Sequence, residues 1–463
     1  MDDGFYLDDK AIKHGYNSFR PNSTWTLSGA MGNSTKEISA AVAENAFPLS
    51  AKSVVDRVPK GAEWVLIGEA SHGTREFYDM RAGKQYSPDA FRANLWVRGL
   101  SQDSSANEAL ADFKAAGGSR QEKQQKTVGF YGLDVYSLSA STQAVVDYLD
   151  RVSPEAAKAA RERYSCFDRY GADAAMYGLA LRHGAGVSCK DAAVKELVDL
   201  LKLVRQRMPQ TAGRPEEAEC DFAAQANAMV IKSAERYYRN MFFQDDITWN
   251  IRDKHMVDTA LALKEHLKRY GTPTPKIVIW AHNSHLGDAR ATDMGIRRGE
   301  VNVGQLMLEH VGDRHTDLIA SLGFTTHTGT VAAADDWNEP VKNMRVNPSL
   351  PASYENIMHA MARPAFGLQL TAAHGGARDI SDVEALRAVR ACLEGPRLER
   401  AIGVTYRPNT ERFSHYFQTY LPEQFDIVMH IDKTSAVTPL DPGAHFEKAK
   451  QHPDLPETYP FAV

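Results

Sequence analysis

The feature of this sequence that most constrains its fold is a series of short apolar runs separated by long helix-like segments. Apolar runs of about four to eight residues without polar alternation are typical of strands that helices cover on both faces. Because helix-like segments lie between the runs, the sequence predicts an α/β fold, a three-layer α/β/α unit with a mostly parallel sheet. The predicted strands are Glu63–Gly68, Val128–Leu133, Lys276–Ala281, Thr316–Gly323, Ala401–Tyr406 and Phe425–Ile431.

The chain between the second and third runs has the pattern of helices rather than strands. Apolar residues recur three and four positions apart in Lys190–Arg207 and Phe222–Asn240, as in helices with one buried face. We therefore predict an inserted helical subdomain, and a polar leader that ends in a helix over Thr35–Glu44. The predicted units are a loosely ordered leader (1–50), an α/β catalytic-type domain (51–139 and 271–463) and the helical subdomain (140–270).

Composition and charge argue against several classes of protein. Lys and Arg number 54 and Asp and Glu number 59, and the net charge of −5 argues against nucleic acid or an anionic membrane as the main partner. No apolar stretch is long enough to span a bilayer, and the acidic N-terminus lacks the apolar core of a secretory signal. The four cysteines lie far apart without a CxxC spacing, so we expect ordinary packing residues and a cytoplasmic location. Nothing in the sequence indicates the oligomeric state.

The first candidate site follows the first predicted strand. Gly68 ends that strand, and Glu69 and His72 come next, three residues apart. Ligands of open α/β sheets bind outside the carboxyl ends of the strands, where these two side chains fall. A histidine there can act as a general base, and a neighbouring carboxylate can fix its tautomer. The alternative is that these polar residues only cap the helix that follows.

A second candidate site follows the predicted strand Lys276–Ala281. His282 and His285 come directly after it, with Asn283 between them. If the two strand ends are adjacent in a parallel sheet, three imidazoles and the carboxylate of Glu69 meet in one crevice. Three interpretations of the histidines stay open from the spacing: catalytic groups, buried hydrogen-bonding side chains, or ligands of a metal ion.

Other polar residues follow strands and could line the same crevice. Asp134 and Tyr136 come after the second apolar run, and Thr326 lies in a hydroxyl-rich turn that could instead satisfy loop backbone. We predict that Asp134, Tyr136, Asn283 and Thr326 bind substrate. The chain contains no Gly-x-Ser-x-Gly elbow, no P-loop and no GxGxxG motif opening a helix, so serine-nucleophile and nucleotide chemistry are unsupported.

The segment GEASHGTREFYDMR (68–81) resembles the erythromycin esterase family, whose members hydrolyse the macrolactone ring of macrolide antibiotics. The likeness covers nearly all the chain from about residue 60 onward. It is a likeness to broad relatives rather than to dedicated antibiotic-resistance enzymes, so erythromycin itself need not be the substrate. Further segments that carry it are VGFYGLDVYSL (128–138), TWNIRDKHM (248–256), IVIWAHNSHLGDARATDMG (277–295), GFTTHTGTV (323–331) and AIGVTYRPNTERFSHYF (401–417).

The resemblance implies metal-independent hydrolysis of a carboxylic ester or lactone, without a cofactor. In this interpretation His72 is the general base that activates water, and Glu69 is its partner. Arg81 binds or polarises the ester, and His282 and His285 complete the cleft. The implied partner is a small molecule, and neither nucleic acid nor a membrane is expected.

The chain departs from the family pattern at two places. In relatives, the GTREFY helix is followed by a strand that ends in a Val-Glu-Ala-Asp segment with a catalytic glutamate. This chain lacks that strand, and Ala82 is followed directly by the segment that begins at Gly83. After Glu108–Lys114, relatives carry a Phe-Pro-Thr-Trp segment and a helix that this chain lacks. Because losing one positioned catalytic group costs orders of magnitude in rate, we expect impaired hydrolysis. Two alternatives stay open: a metal- or heme-binding relative that uses the same histidines and Glu69 as ligands, or a non-catalytic truncated product.

Overall fold

The structure of the protein, a computed structural model, describes residues 35–82, 129, 131–170, 174–243, 245–270, 272–336, 339–371 and 380–438. Most of the predicted leader and both places where the chain departs from the family pattern lie outside these residues. The strands are β1 (Ala46–Phe47), β2 (Trp64–Ile67), β3 (Ile277–Trp280), β4 (Ile319–Thr325), β5 (Thr328–Ala333), β6 (Lys342–Val346), β7 (Ala365–Gln369), β8 (Arg397–Arg400), β9 (Tyr416–Thr419), β10 (Ile427–Ile431) and β11 (Lys433–Thr434).

The longest helices of the described residues lie before β3, and most of those after it are short. Those before β3 are α1 (Thr35–Ala43), α2 (Ala51–Val55), α3 (Arg75–Ala82), α4 (Leu138–Val152), α5 (Pro154–Asp168), α6 (Ala174–Arg182), α7 (Lys190–Thr211), α8 (Pro215–Asn240) and α9 (Asp245–Arg269). Those after β3 are α10 (Asn283–Leu286), α11 (Asp293–Arg298), α12 (Val303–Val311), α13 (His315–Leu318), α14 (Tyr354–His359), α15 (Ile380–Cys392), α16 (Glu411–Ser414) and α17 (Leu421–Gln424).

Six of the described strands form one sheet in the order β1-β7-β10-β4-β2-β3. The strands β10, β4, β2 and β3 are parallel to their neighbours, while β7 and β1 extend the sheet antiparallel at one side. Trp64 of β2 lies beside Ile277 of β3 on one side and beside Ile319 of β4 on the other. The predicted α/β fold with a mostly parallel sheet is therefore confirmed, and its parallel strands come from four of the apolar runs.

Helices cover both faces of the sheet. Leu66 of β2 belongs to an apolar cluster with Val257 of α9, and the next residue, Ile67, packs in a different cluster with Phe77 of α3. Successive side chains of a strand point to opposite faces, so α9 and α3 lie on opposite sides of the sheet. This packing is the predicted three-layer α/β/α arrangement. It also explains why β2 is apolar without alternation.

The helices α4 to α8 build a separate apolar core. Val145, Leu200 and Ile231 are buried together in this core. The helix α9 contributes to both cores, because its Ile251 packs with α4 to α8 and its Val257 packs against the sheet. The predicted helical subdomain matches this packing, but its boundaries stay a prediction, since α9 is shared.

The prediction for two of the cysteines is wrong. A disulfide joins Cys166 in α5 to Cys189 just before α7, whereas the sequence predicted packing residues only. Residues 174–182 form α6 between the two cysteines, and Tyr177 of this helix accepts a hydrogen bond from the backbone N–H of Cys189 at 3.0 Å. The fold of this segment brings together two residues that are far apart in sequence. Cys220 and Cys392 are free.

Two of the predicted strands differ from the structure. In the run Val128–Leu133, Val128 and Phe130 lie outside the described residues, and the described Tyr131–Leu133 form no strand. The run Ala401–Tyr406 forms only isolated bridges, of Ile402 with Ser71 and of Thr405 with Ala334. Its backbone lies between two loops rather than beside a strand, so no ladder develops.

The predicted helix over Thr35–Glu44 is present as α1 (Thr35–Ala43), and residues 35–50 pack against the rest of the fold instead of forming the end of a loose leader. The helix α1 buries Ile38 and Val42 against α14 and α15, and β1 pairs with β7. On the opposite side of the sheet, β3 is the last strand among the described residues, and Val278 at its centre is 60% exposed. In the described part of the chain, no helix is long and apolar enough to cross a membrane.

Candidate active site

The loop after β2 carries Glu69 and His72 and is held against the loop that contains Ile402. The N–H of Ile402 donates to the carbonyl of Ala70, and the N–H of His72 donates to the carbonyl of Ile402, both at 2.9 Å. Gly73 ends the loop with a φ of +68°, a conformation that favours glycine. These bonds fix the backbone from which both candidate catalytic side chains extend.

Glu69 and His72 form a close carboxyl–imidazole pair. Oε1 of Glu69 lies 2.5 Å from Nδ1 of His72. The Glu69 side chain is 1% exposed and the His72 side chain is 19% exposed. With an ionised carboxylate and a neutral imidazole, Nδ1 carries the proton and Nε2 is left as an acceptor. The structure therefore brings together the first two predicted residues in the geometry of an oriented base.

His282 lies against His72 and is held in one tautomer. Their ring centroids are 5.1 Å apart in an edge-to-face arrangement. The backbone N–H of Ser284 donates to Nδ1 of His282, which assigns the ring proton to Nε2. Burial, with the nearby His72 adding to it, lowers the pKa of His282 to about 3. The Ala70 backbone acts on this pKa in the opposite direction. The buried Nε2 of His282 forms no hydrogen bond within the described part of the chain.

His285 is enclosed by two residues of α9. Its Nδ1 lies 2.8 Å from Oδ1 and 3.0 Å from Oδ2 of Asp253. The indole ring of Trp249 stacks on the imidazole at a centroid distance of 4.4 Å and an angle of 5°. Burial and the positive charge of Arg252 lower the pKa of His285 well below its ordinary value. The imidazole of His285 is therefore neutral, and its Nδ1 is hydrogen-bonded to Asp253.

Asp134 lies close enough to His285 to interact with it electrostatically, but both Asp134 and Tyr136 contact Arg252. Arg252 makes a two-pronged ion pair with Asp134, with N–O distances of 2.7 to 3.1 Å, and its guanidinium lies 4.9 Å from the Tyr136 ring centroid. Burial raises the pKa of Asp134, but the charge and hydrogen bonds of Arg252 outweigh it and bring the pKa below its ordinary value. The Tyr136 hydroxyl reaches the Tyr237 hydroxyl at 3.5 Å. Both predicted substrate-binding residues are thus engaged with protein groups.

Asn283 joins the two strand ends. Its Nδ2 donates to the carbonyl of Phe324 at 2.8 Å and to Glu399 at 3.2 Å, and its Oδ1 accepts from the N–H of Phe324 at 3.2 Å. A Cβ at Gly68 would lie 2.2 Å from Oδ1 of Asn283, so glycine at the end of β2 permits this approach. The amide of Asn283 is used to link β3 to β4, a role that the sequence did not indicate.

The two remaining predicted site residues are less informative. Thr326 is 2% exposed, and its hydroxyl bonds to the carbonyl of Thr328 at 3.3 Å and to the Thr434 hydroxyl at 3.2 Å. Arg81 lies in α3, but its side chain is outside the described residues. The alternative interpretation of Thr326, a residue that satisfies loop backbone, fits these contacts.

Trp249, Arg252 and Asp253 also belong to the site, although no sequence pattern indicated them. They stand at positions i, i+3 and i+4 of α9, which is the spacing of one helix face. A search of strand ends cannot find them, although the segment TWNIRDKHM that contains them carries part of the family resemblance. Among the described residues, no group of three or more His, Cys, Asp or Glu side chains is arranged to hold a metal ion.

Comparison with known proteins agrees with the sequence resemblance. The model of the erythromycin esterase family matches residues 87–434, about three quarters of the chain. The chain belongs to the erythromycin esterase family. The match begins after β2, so the loop with Glu69 and His72 precedes it. Membership of this family supports a hydrolase.

Solved structures with the same fold have low sequence identity to the chain. A succinoglycan biosynthesis protein is 18% identical with a TM-score of 0.60, and covers 87% of this chain and 99% of its own. A Bacillus cereus protein is 17% identical with a TM-score of 0.60, covering 88% of this chain and 100% of its own. A mutant of the erythromycin esterase EreC in its open conformation is 14% identical with a TM-score of 0.51, covering 85% and 97%. These neighbours share the α/β fold of the family.

Proposed function

We propose that this protein hydrolyses a carboxylic ester or lactone by direct attack of water, with His72 as the general base. The observation that carries the proposal is the 2.5 Å contact between Nδ1 of His72 and the buried carboxyl group of Glu69. Nε2 of His72 takes a proton while the water oxygen attacks the carbonyl carbon. The same proton passes to the leaving oxygen as the ester C–O bond breaks, which gives a carboxylic acid and an alcohol.

Glu69 holds His72 in the protonation state that a base requires. An ionised carboxylate at Nδ1 keeps the ring proton there, so Nε2 has a lone pair for the water proton. General-base catalysis of this kind contributes about 10²- to 10⁴-fold to a rate. The 19% exposure of His72 gives water access to the ring.

The negative charge that develops on the carbonyl oxygen needs hydrogen-bond donors. His282 supplies one, because Ser284 fixes its proton on Nε2 and that nitrogen has no other partner in the described part of the chain. Removing one such donor typically lowers kcat about 10²- to 10³-fold. We assign Arg81 to the same oxygen, as the family resemblance implies, and His285 to the cleft beside it.

The proposed substrate is a small-molecule ester or lactone, and macrolide lactones are one candidate class. Asp134 and Tyr136 would form a wall of the cleft, since Arg252 neutralises the carboxylate. Asn283 and Thr326 would act behind the cleft rather than on the substrate. The cytoplasm stays the predicted location, but the Cys166–Cys189 disulfide removes the cysteine argument for it, since disulfides are rare in cytosolic proteins. Antibiotic inactivation is one outcome of substrate screening.

The proposal is tested by hydrolysis of a panel containing erythromycin, simpler lactones and p-nitrophenyl esters, in the presence of a metal chelator. We expect His72→Ala to lower kcat/KM about 10²- to 10⁴-fold. His359→Ala is the matched control, because His359 also bonds to an aspartate, Asp432 at 2.7 Å, but is not part of the candidate site. Unchanged hydrolysis by His72→Ala would refute the assignment.

A non-catalytic truncated product is the second candidate. The departure from the family pattern after Ala82, where relatives carry a catalytic glutamate, favours it. Sequencing the transcript distinguishes the two: a transcript that restores a Val-Glu-Ala-Asp strand would identify this chain as an incomplete product. Elemental analysis and the absorbance spectrum of the purified protein test the metal- or heme-binding alternative.

A further inference from the structure

The helix α9 presents one face to His285, and the chemistry of this face is not used by the general base. Trp249 covers the imidazole ring, and Asp253 occupies its Nδ1. Arg252, between them in sequence, is bound to Asp134. Three residues of one helix therefore determine the position and the surroundings of a histidine that lies on a different element.

We propose that Asp253 is a positioning residue whose neutral carboxyl group donates a hydrogen bond to Nδ1 of His285. The proton of the imidazole then lies on Nε2, and Nε2–H of His285 is a hydrogen-bond donor in the cleft. In the proposed hydrolysis this donor contacts the carbonyl oxygen of the ester. The proposal rests on the proposed function only for the identity of that oxygen.

The hydrogen bonds of Asp253 match those of a protonated carboxyl group. Oδ1 is the atom closer to Nδ1 of His285, at 2.8 Å, and can act as the hydroxyl. Oδ2 accepts the backbone N–H of Val303 at 3.0 Å, as a carbonyl oxygen does. Oδ2 also lies 3.0 Å from Nδ1, so these distances are compatible with a protonated carboxyl group without requiring one. With Oδ1 as the hydroxyl, Nδ1 is the acceptor that fixes the ring proton on Nε2.

The charges around Asp253 also favour its neutral form. The side chain is fully buried, and Arg252, the cation whose charge acts on it, is already paired with Asp134. Glu300 is a further carboxyl group nearby, and the charge of Asp253 contributes to raising the pKa of Glu300. An ionised Asp253 would therefore be an additional, uncompensated negative charge in a dry site. In agreement, burial raises the pKa of Asp253 well above its ordinary value against the opposing charge of Arg252.

Substitution of the carboxyl group by an amide distinguishes the two protonation states. In Asp253→Asn, the amide NH₂ can donate to Nδ1 of His285 and the amide oxygen can accept from Val303, which reproduces the neutral acid. We expect Asp253→Asn to keep kcat within a few-fold of the wild type. Asp253→Leu loses the donor that fixes the ring and should lower kcat about 10²- to 10³-fold. Asp258→Asn, on the same helix, is the control for an Asp-to-Asn change.

An ionised Asp253 predicts the opposite result. Exchange of an ionised aspartate for asparagine beside a catalytic histidine places the ring proton on the wrong nitrogen and lowers kcat about 10⁴-fold. A loss of that size in Asp253→Asn, with an unchanged melting temperature, would overturn the proposal.

Nitrogen NMR of ¹⁵N-histidine-labelled protein tests the proton arrangement without an activity assay. The His285 signals, assigned by their loss in His285→Gln, should report a proton on Nε2 in the wild type and in Asp253→Asn alike. A proton on Nδ1 in the wild type would overturn the proposal, even if Asp253→Leu does not fold. Failure of the wild type to hydrolyse any ester would instead refute the proposed function, and the NMR result would remain decisive for Asp253.

Discussion

Replacement of Glu69 by glutamine removes the negative charge beside the candidate base His72 and keeps the shape of the side chain. Oε1 of Glu69 lies 2.5 Å from Nδ1 of His72, so an amide at this position stays within hydrogen-bond distance of the ring. The amide NH₂ can donate to Nδ1, and the neutral imidazole then carries its proton on Nε2. In that tautomer His72 has no lone pair for the proton of the attacking water.

The size of the effect follows from this change of tautomer. A carboxylate-to-amide exchange beside a catalytic histidine lowers kcat about 10⁴-fold in enzymes that use the same pair. This factor corresponds to about 5.4 kcal/mol of transition-state stabilisation. Glu69 is 1% exposed, so water cannot replace its carboxylate, and we expect a loss of about 10³- to 10⁴-fold for Glu69→Gln.

The assay is the steady-state hydrolysis of the best ester or lactone of the panel, with kcat and KM measured separately. Glu399→Gln is the matched control, because Glu399 is also fully buried and bonds to Asn283 rather than to a histidine. We expect kcat to fall in Glu69→Gln with little change in KM, and neither to change in Glu399→Gln. A Glu69→Gln variant with wild-type kcat would refute the assignment of Glu69 as the partner of the base.

Two further predictions concern stability and the cysteines. Burial, with the charge of Glu355 adding to it, raises the pKa of Glu399 well above its unfolded value of 4.5, so the folded protein keeps a proton that the unfolded chain loses. The wild type should therefore lose stability as pH rises above about 4.5, by at most about 1.4 kcal/mol per pH unit. The melting temperature of the wild type relative to that of Glu399→Gln should fall over the same rise in pH, and a pH-independent difference would contradict this. Thiol titration in denaturant should detect two free cysteines, because a disulfide joins Cys166 to Cys189. A count of four thiols would show that this disulfide is absent from the purified protein.

The parallel core of the sheet was predictable because its strands are buried on both faces. Continuous apolar runs identified β2, β3, β4 and β10. The same criterion failed at Ala401–Tyr406, where an apolar segment is buried between loops without a neighbouring strand. Apolarity reports burial, and only the tertiary structure decides whether a ladder forms. The strand β7 was not identified either, because its pairing depends on β10, which lies far away in sequence.

The positions of the site residues were predictable, but several of their roles were not. Strand ends placed Glu69, His72 and His282 together because parallel strands bring their carboxyl ends to one edge. Asn283 falls at the same edge, yet its amide links two strands, which depends on the glycine that allows it to approach. Asp253 lies on a helix and meets His285 only after α9 packs against the sheet, so no local pattern connects them.

The two carboxyl–imidazole pairs of the site contain the same chemical groups in different surroundings. Both carboxyl groups are buried, Glu69 at 1% and Asp253 at 0% exposure, but the imidazoles differ, since His72 is 19% exposed and His285 is 7% exposed. Ester hydrolysis needs an acceptor for the proton of water and donors for the carbonyl oxygen; His282 is one proposed donor, and an Nε2–H on His285 would add a second. We therefore infer that exposure divides the roles, with His72 as acceptor and His285 as donor. The same carboxyl-to-amide exchange should then abolish catalysis at Glu69 and preserve it at Asp253, and equal effects at both positions would refute this division.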